Sequence, residues 1–120
     1  MANSEGFLTT HILDTANGCP ARDVRIEIFR VEGNDRNHIK SVVTNADGRT
    51  DEPILAKGQM DIGTYEMVFE IGAYFRERGL AAGIAFIDEV PLRFGISDPN
   101  DHYHVPLLAS PYSYSTYRGS

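Results

Sequence analysis

Apolar and polar residues alternate along most of this 120-residue chain, a pattern typical of half-buried β-strands. In residues 24–31, for example, Val24, Ile26 and Ile28 fall on one face and charged residues on the other. Turn signals rich in glycine, proline, asparagine and aspartate separate such segments. The predicted strands span residues 7–14, 24–31, 39–44, 63–71, 90–96, 102–108 and 112–117. The polar segment 49–53 is predicted to be an edge strand or a loop.

Residues 73–78 form the only segment that favours a helix, about two turns long, with Gly79 suited to end it. Seven or eight short strands and one short helix predict an all-β fold, a β-sandwich of two sheets. There is no internal repeat or linker, so residues 1–120 are predicted to form a single domain in which residues 1–6 are flexible. The tyrosine-rich last strand is poorly protected against pairing, which favours an edge-to-edge dimer.

Composition and charge narrow the classes of function. A net charge of −6 argues against binding to nucleic acid or to an anionic membrane, both of which need a basic face. The single cysteine, Cys19, excludes an intrachain disulfide. No apolar run approaches the roughly 20 residues of a transmembrane helix. With no signal-peptide pattern and no peroxisomal signal at Ser120, we expect a cytoplasmic protein.

Three polar residues interrupt strand-like stretches. In residues 7–14, period two separates His11 from the face that carries Leu8 and Ile12. In the same way, His104 lies opposite Tyr103, and Arg49 directly follows a tight turn. Each of the three, taken alone, is a common surface residue.

The C-terminal end adds further polar chemistry, since Tyr117, Arg118, Gly119 and Ser120 close the chain. Together with the three residues above, they describe a site that could orient a water molecule, move protons and hold an oxyanion. An arginine near both histidines would keep at least one imidazole neutral and available as a base.

His102 has the same parity as His104, but it borders the turn at residues 98–101 and is expected nearer to solvent. A His-x-His pair can ligate zinc. Here no cysteine or carboxylate cluster completes a ligand set, so no metal site is predicted.

Three stretches make the chain similar to the transthyretin-like family. They are LTTHILDTANGCPA at residues 8–21, NADGRTD at residues 45–51, and HYHVPLLASPYSYSTYRGS at residues 102–120. The last is the most discriminating, because the hormone carriers of the family share SPYSYST but not the YRGS ending of its hydrolases. The carriers also lack counterparts of His11, Arg49 and His104.

The resemblance implies a transthyretin-like sandwich that assembles as a homotetramer, a dimer of dimers. It also implies hydrolysis of 5-hydroxyisourate to a carboxylated imidazoline in urate degradation, with no metal or organic cofactor. His11, Arg49, His104 and Ser120 would be catalytic. His11, Arg49, Tyr117, Arg118 and Gly119 would bind the substrate.

A mechanism follows as a hypothesis. One histidine deprotonates the attacking water, Arg49 stabilises the oxyanion, and the other histidine returns a proton to the leaving nitrogen. Which histidine is the base stays open at this stage, and Asp51 is a candidate to hold Arg49 or a histidine. Two other functions remain as alternatives: a non-catalytic carrier of a small aromatic ligand in a tetramer channel, and a β-sandwich interaction module.

Overall fold

The structure is a computed structural model that describes residues 5–119; residues 1–4 and residue 120 lie outside the described range. Within that range the chain forms ten strands and one helix. In chain order these are β1 (Phe7–Thr9), β2 (Ile12–Asp14), β3 (Cys19–Pro20), β4 (Arg25–Glu32), β5 (Asp35–Val43), β6 (Gly63–Phe69), α1 (Ile71–Glu77), β7 (Val90–Ile96), β8 (His102–His104), β9 (Leu107–Ala109) and β10 (Tyr114–Thr116). The predicted all-β class with one short helix is confirmed.

The strands form one antiparallel sheet in the order β5-β4-β6-β7, a mixed sheet in the order β10-β9-β2-β3, and the parallel pair β1-β8. Alternate residues of these strands meet in one apolar core, which includes Leu8, Ile12, Ile26, Met67 and Leu107. Each of these five side chains is fully buried. The faces predicted from period two are therefore the buried faces in the structure.

The predicted strands at residues 7–14 and 102–108 are each divided in two. The two segments run parallel, first as β1-β8 and then as β2-β9, and both break at the same level. Pro106 has no N–H to donate, so the regular ladder cannot continue through it. At the break, the backbone N–H of Val105 donates to Thr9 (2.9 Å) and the Thr10 hydroxyl donates to the carbonyl of Val105 (2.6 Å). This division and the short β3 raise the strand count to ten.

The third predicted strand begins earlier than expected, at Asp35 instead of Ile39. Gly33 and Asn34 form a two-residue turn with a positive φ of 61° at Gly33, and β4 and β5 pair as a hairpin up to Glu32 and Asp35. The polar residues after the turn are therefore exposed strand residues. They carry no apolar alternation, so the sequence pattern does not predict them as a strand.

The helix begins at Ile71, two residues before the predicted start, and Ile71 is completely buried. Gly79 has a φ of 72° and its N–H donates to the carbonyl of Arg76, as expected for a glycine that ends a helix. Pro91 lies in β7, an edge strand of its sheet, which agrees with the predicted edge position. The helix of the described range is too short and too polar to cross a membrane.

At the N-terminal end of the described range, Gly6 belongs to the segment predicted to be flexible. Its N–H donates to the carbonyl of Pro99 (3.0 Å), and the glycine is buried. A Cβ at this position would come within 2.1 Å of the Asp101 carbonyl oxygen. This close approach holds the start of β1 against the loop that precedes β8.

Candidate active site

Strand β8 presents His102 and His104 on one face and buries Tyr103 on the other, as the alternation predicts. Thr9 is the register partner of His104 on the parallel neighbour β1. Its hydroxyl lies between the two imidazoles, 2.8 Å from Nδ1 of His104 and 2.7 Å from Nε2 of His102. The ring of His104 is therefore held at Nδ1, which leaves Nε2 as the nitrogen available for chemistry.

Gly119 brings the C-terminal segment against His104. The N–H of Gly119 donates to the carbonyl of His104 at 2.7 Å, and the two residues form an isolated antiparallel bridge. A Cβ on Gly119 would lie 2.6 Å from Cδ2 of the imidazole, closer than real contacts allow. Only glycine fits here without moving the histidine.

Arg49 is placed by the turn at residues 45–48. Gly48, with a φ of 74°, accepts a hydrogen bond from the backbone N–H of Ile12 (2.8 Å), which ties the turn to β2. The Asn45 side chain accepts from the backbone N–H groups of Asp47 (2.9 Å) and Arg49 (3.2 Å). The turn is thus fixed beside His11, the residue immediately before Ile12.

The electrostatics show that these three residues share one environment. Burial lowers the pKa of His11, and the nearby guanidinium of Arg49 lowers it further. The backbone and the carboxylate of Asp47 both act to raise this pKa, but their effect is smaller. Burial also lowers the pKa of His104, followed by the charges of Arg49, His102 and His11. Both imidazoles are therefore neutral near pH 7 and able to accept a proton.

The structure brings His11, Arg49, His104 and Gly119 together, but it directs Arg118 elsewhere. The Arg118 guanidinium lies over the Tyr103 ring (4.2 Å to the centroid) and pairs with the Asp101 carboxylate at 3.2 Å. It thus occupies the opposite face of β8 from His104. This placement differs from the predicted substrate-binding position, because the ring of Tyr103 and the charge of Asp101 both attract the guanidinium.

Three further residues were predicted to belong to the site: Tyr117, Asp51 and Ser120. Tyr117 is exposed, next to Arg118 on the edge of the molecule. Asp51 accepts a hydrogen bond from the side chain of Asn45 (2.9 Å), so its observed partner is neither Arg49 nor a histidine. Ser120 lies outside the described residues.

No group of three or more histidine, cysteine, aspartate or glutamate side chains within residues 5–119 could hold a metal ion. His102 and His104 instead share the Thr9 hydroxyl. The sequence pattern does not single out Thr9, and it predicts His102 to lie nearer to solvent than His104. The signal that could have found both was parity, since period two places them on the polar faces that carry His11 and His104.

Comparison with known proteins identifies the family of the chain. The family model "HIUase/Transthyretin family" matches residues 8–119. The 5-hydroxyisourate hydrolase of Pseudomonas aeruginosa is 54% identical over 116 residues, which is 96% of this chain and 92% of that protein.

Two solved structures have the same fold. A crystal structure of (S)-allantoin synthase superposes with a TM-score of 0.92 at 49% identity, covering 98% of this chain and 45% of that longer chain. The 5-hydroxyisourate hydrolase of Klebsiella pneumoniae superposes with a TM-score of 0.78 at 35% identity, covering 96% of this chain and 99% of that chain. The transthyretin-like β-sandwich predicted from the sequence is confirmed. The chain belongs to the HIUase/Transthyretin family.

Proposed function

We propose that this protein is an enzyme that hydrolyses 5-hydroxyisourate in urate degradation. The proposal is carried by one observation: in a chain of this family, the guanidinium of Arg49 lowers the pKa of both His11 and His104. Relatives about half identical over nearly the whole chain have this activity in their names.

His104 is the base in this proposal. Its pKa is lowered, so the ring is neutral, and Thr9 occupies Nδ1. Nε2 can then take a proton from a water molecule as that water attacks a ring carbonyl of the substrate. The same nitrogen gives the proton to the ring nitrogen that leaves when the tetrahedral intermediate collapses, which completes hydrolysis of the cyclic amide.

Arg49 binds the carbonyl oxygen under attack and stabilises the negative charge that develops there. Its planar guanidinium offers two parallel N–H donors, and it forms no ion pair within residues 5–119 that would occupy them. His11, also neutral, orients the water or the substrate. This differs from the sequence-based hypothesis, in which the second histidine returned the proton, because a lowered pKa leaves His11 without the extra proton that the leaving nitrogen needs.

The C-terminal residues complete the pocket. Gly119 lets the backbone approach His104, and Tyr117 is free to pack on a flat heterocycle. Ser120 stays a predicted catalytic residue. We propose no metal or organic cofactor, and dialysis against EDTA should leave the rate unchanged.

We further propose a homotetramer, a dimer of dimers. In the isolated chain the candidate site is open, since Arg49 is exposed and both histidines are only half-buried. Large apolar side chains are also exposed, among them Ile84 (98%), Phe86 (77%) and Tyr112 (74%), which subunit contacts would cover. Light scattering on the purified protein tests the assembly.

The carrier alternative is not favoured. A channel built for an apolar ligand gains nothing from two imidazoles and a guanidinium, whose desolvation costs free energy. That residues 1–120 form one domain and that the protein is cytoplasmic stay predictions, tested by limited proteolysis and by cell fractionation.

The catalytic assignment is tested with three variants, His11→Asn, Arg49→Gln and His104→Asn, and a matched control, His38→Asn. His38 is an exposed histidine of β5 that pairs with Glu27, remote from the Arg49 turn. Each site variant should lower kcat by about 100-fold or more, whereas the control should not. Turnover close to wild type in all three site variants would refute the assignment.

A further inference from the structure

The hydroxyl of Thr9 is shared by two imidazoles at normal hydrogen-bond distances, and only one of these imidazoles belongs to the site described above. A hydroxyl has a single proton, so it can donate to only one of the two ring nitrogens and must accept from the other if both contacts are hydrogen bonds. At least one of the two nitrogens, Nε2 of His102 or Nδ1 of His104, therefore carries a proton, and when only one does, the hydroxyl links the protonation of the two rings.

The His102 ring is held in position for this role. It stacks on Phe7 with ring centroids 4.2 Å apart and an interplanar angle of 19°. Phe7 and Thr9 face His102 and His104 as register partners of the β1-β8 pair. His102 also lines an open cavity of about 600 Å³ together with Asp101, Tyr117, Arg118 and Gly119. Of the two histidines, His102 is thus the one that borders this open, solvent-accessible cavity.

We propose that Thr9 and His102 are positioning residues that form a proton relay behind His104, setting its tautomer and taking over its positive charge during turnover. This proposal rests on the hydrolase function proposed above. It assigns a role to two side chains that do not touch the reacting atoms.

Each group in the relay releases one proton for every proton that it takes up. At rest, Nδ1–H of His104 donates to Thr9, whose own O–H donates to Nε2 of His102. When Nε2 of His104 takes a proton from the attacking water, Nδ1 passes its proton to Thr9 and Thr9 passes its proton to Nε2 of His102. His104 is then neutral with its proton on Nε2, and His102 is the cation. When His104 protonates the leaving nitrogen, the two transfers reverse and the resting state returns.

The relay stabilises the positive charge by moving it from His104 to His102. A positive charge on His104 is opposed by burial and by the Arg49 guanidinium, which act in the same direction on this ring. The centroid of His102 lies 6.1 Å from that of His104, at the edge that borders the open cavity. Moving the charge to His102 therefore takes it off the ring on which Arg49 acts and brings it to the open cavity, where the charge of Arg118 is already paired with the Asp101 carboxylate.

The test uses Thr9→Val, which keeps the shape of the side chain but removes the hydroxyl, and Thr9→Ser as its matched control. Thr9→Val should lower kcat about tenfold or more with little change in KM, and Thr9→Ser should retain most of the activity. Wild-type kcat in Thr9→Val would overturn the relay.

His102→Gln separates orientation from proton transfer, because an amide can hydrogen-bond to Thr9 but cannot become the cation. Its kcat should fall, and added imidazole buffer should restore part of the rate after subtraction of the enzyme-free reaction. Full activity in His102→Gln would overturn the transfer of charge to His102.

A second readout does not depend on turnover. Imidazole ¹⁵N chemical shifts should report one tautomer of His104 in the wild type and in Thr9→Ser, and a mixture of tautomers in Thr9→Val. An unchanged single tautomer in Thr9→Val would contradict the positioning role. If the wild type failed to accelerate hydrolysis, the proposed function would fall, while these spectra would still decide whether Thr9 sets the tautomer.

Discussion

Gly119 lies directly against the imidazole of His104, and its backbone N–H donates to the carbonyl of the same residue at 2.7 Å. The α-carbon is so close that a methyl group in place of its hydrogen would sit 2.6 Å from Cδ2 of the ring. The C-terminal segment and the candidate base are therefore packed as one unit. A small change in one must move the other.

Gly119→Ala should consequently displace the His104 ring and lower kcat by about tenfold or more, because small misplacements of reacting groups are costly. The fold should be retained, since Gly119 is not part of the apolar core. Gly95→Ala is the matched control, because a Cβ at that position meets nothing within 4 Å and its φ is not positive. Equal activity of the two variants, measured with the same substrate preparation, would show that the close contact has no role.

Arg49 should control the protonation of both histidines. Its charge lowers the pKa of His11 and of His104, so Arg49→Gln should raise both values together. Arg49→Lys keeps the positive charge and is the control for the loss of the guanidinium fork. NMR titration of the imidazoles measures the change, and a rise in only one histidine would contradict the shared environment.

The pH dependence of kcat/KM follows from the same shifts. The reaction needs neutral His104, and a lowered pKa keeps the ring neutral to a lower pH than an ordinary histidine. The acid limb of the profile should therefore lie below 6.5, the ordinary histidine value, and activity should fall as the pH drops through it. In Arg49→Lys the limb should stay near its wild-type position. A wild-type limb above 6.5 would contradict the assignment.

A buried carboxylate supports the β2 end of the site. Asp14 is 1% exposed and accepts hydrogen bonds from the Tyr74 hydroxyl (2.8 Å), the Asn17 side chain (2.7 Å) and the N–H groups of Ala16 and Asn17. Burial alone would raise its pKa, but these bonds outweigh burial and the net pKa is lowered.

Tyr74→Phe should therefore lower the free energy of unfolding by about 1.5–3 kcal/mol, the usual range for a hydrogen bond to a charged group. Urea titration at one protein concentration measures it, with the exposed Tyr112→Phe as control. The stabilisation by Asp14 is present above its ordinary pKa of 3.8 and is lost as the pH falls through the lowered value. The difference between Tyr74→Phe and wild type should thus shrink in acid; a constant difference would point to lost packing instead.

Much of the fold and part of the site could be predicted from local pattern. Period two alone separated His11 from Ile12 and His104 from Tyr103, because side chains alternate across any strand with one buried face. The turn that carries Arg49 was recognised from Gly48, which needs its positive φ of 74°. These features depend on residues near one another in the sequence.

The rest depends on contacts between distant segments. The break in β1-β2 is set by its parallel neighbour at Pro106, about 95 residues away along the chain, so residues 7–14 alone do not reveal it. The Arg118 side chain points away from the site because its guanidinium pairs with the Asp101 carboxylate and lies over the Tyr103 ring. The link between Thr9 and His102 likewise exists only once two strands pair in register.

The most direct test of the central claim is an ultraviolet time course of freshly prepared 5-hydroxyisourate with wild-type protein, with His104→Asn, and with no protein. The substrate decays on its own, and that rate is the baseline. We predict much faster loss with the wild type and a rate near the baseline with the variant. Loss at the spontaneous rate in the presence of folded wild-type protein would contradict the proposed hydrolase function.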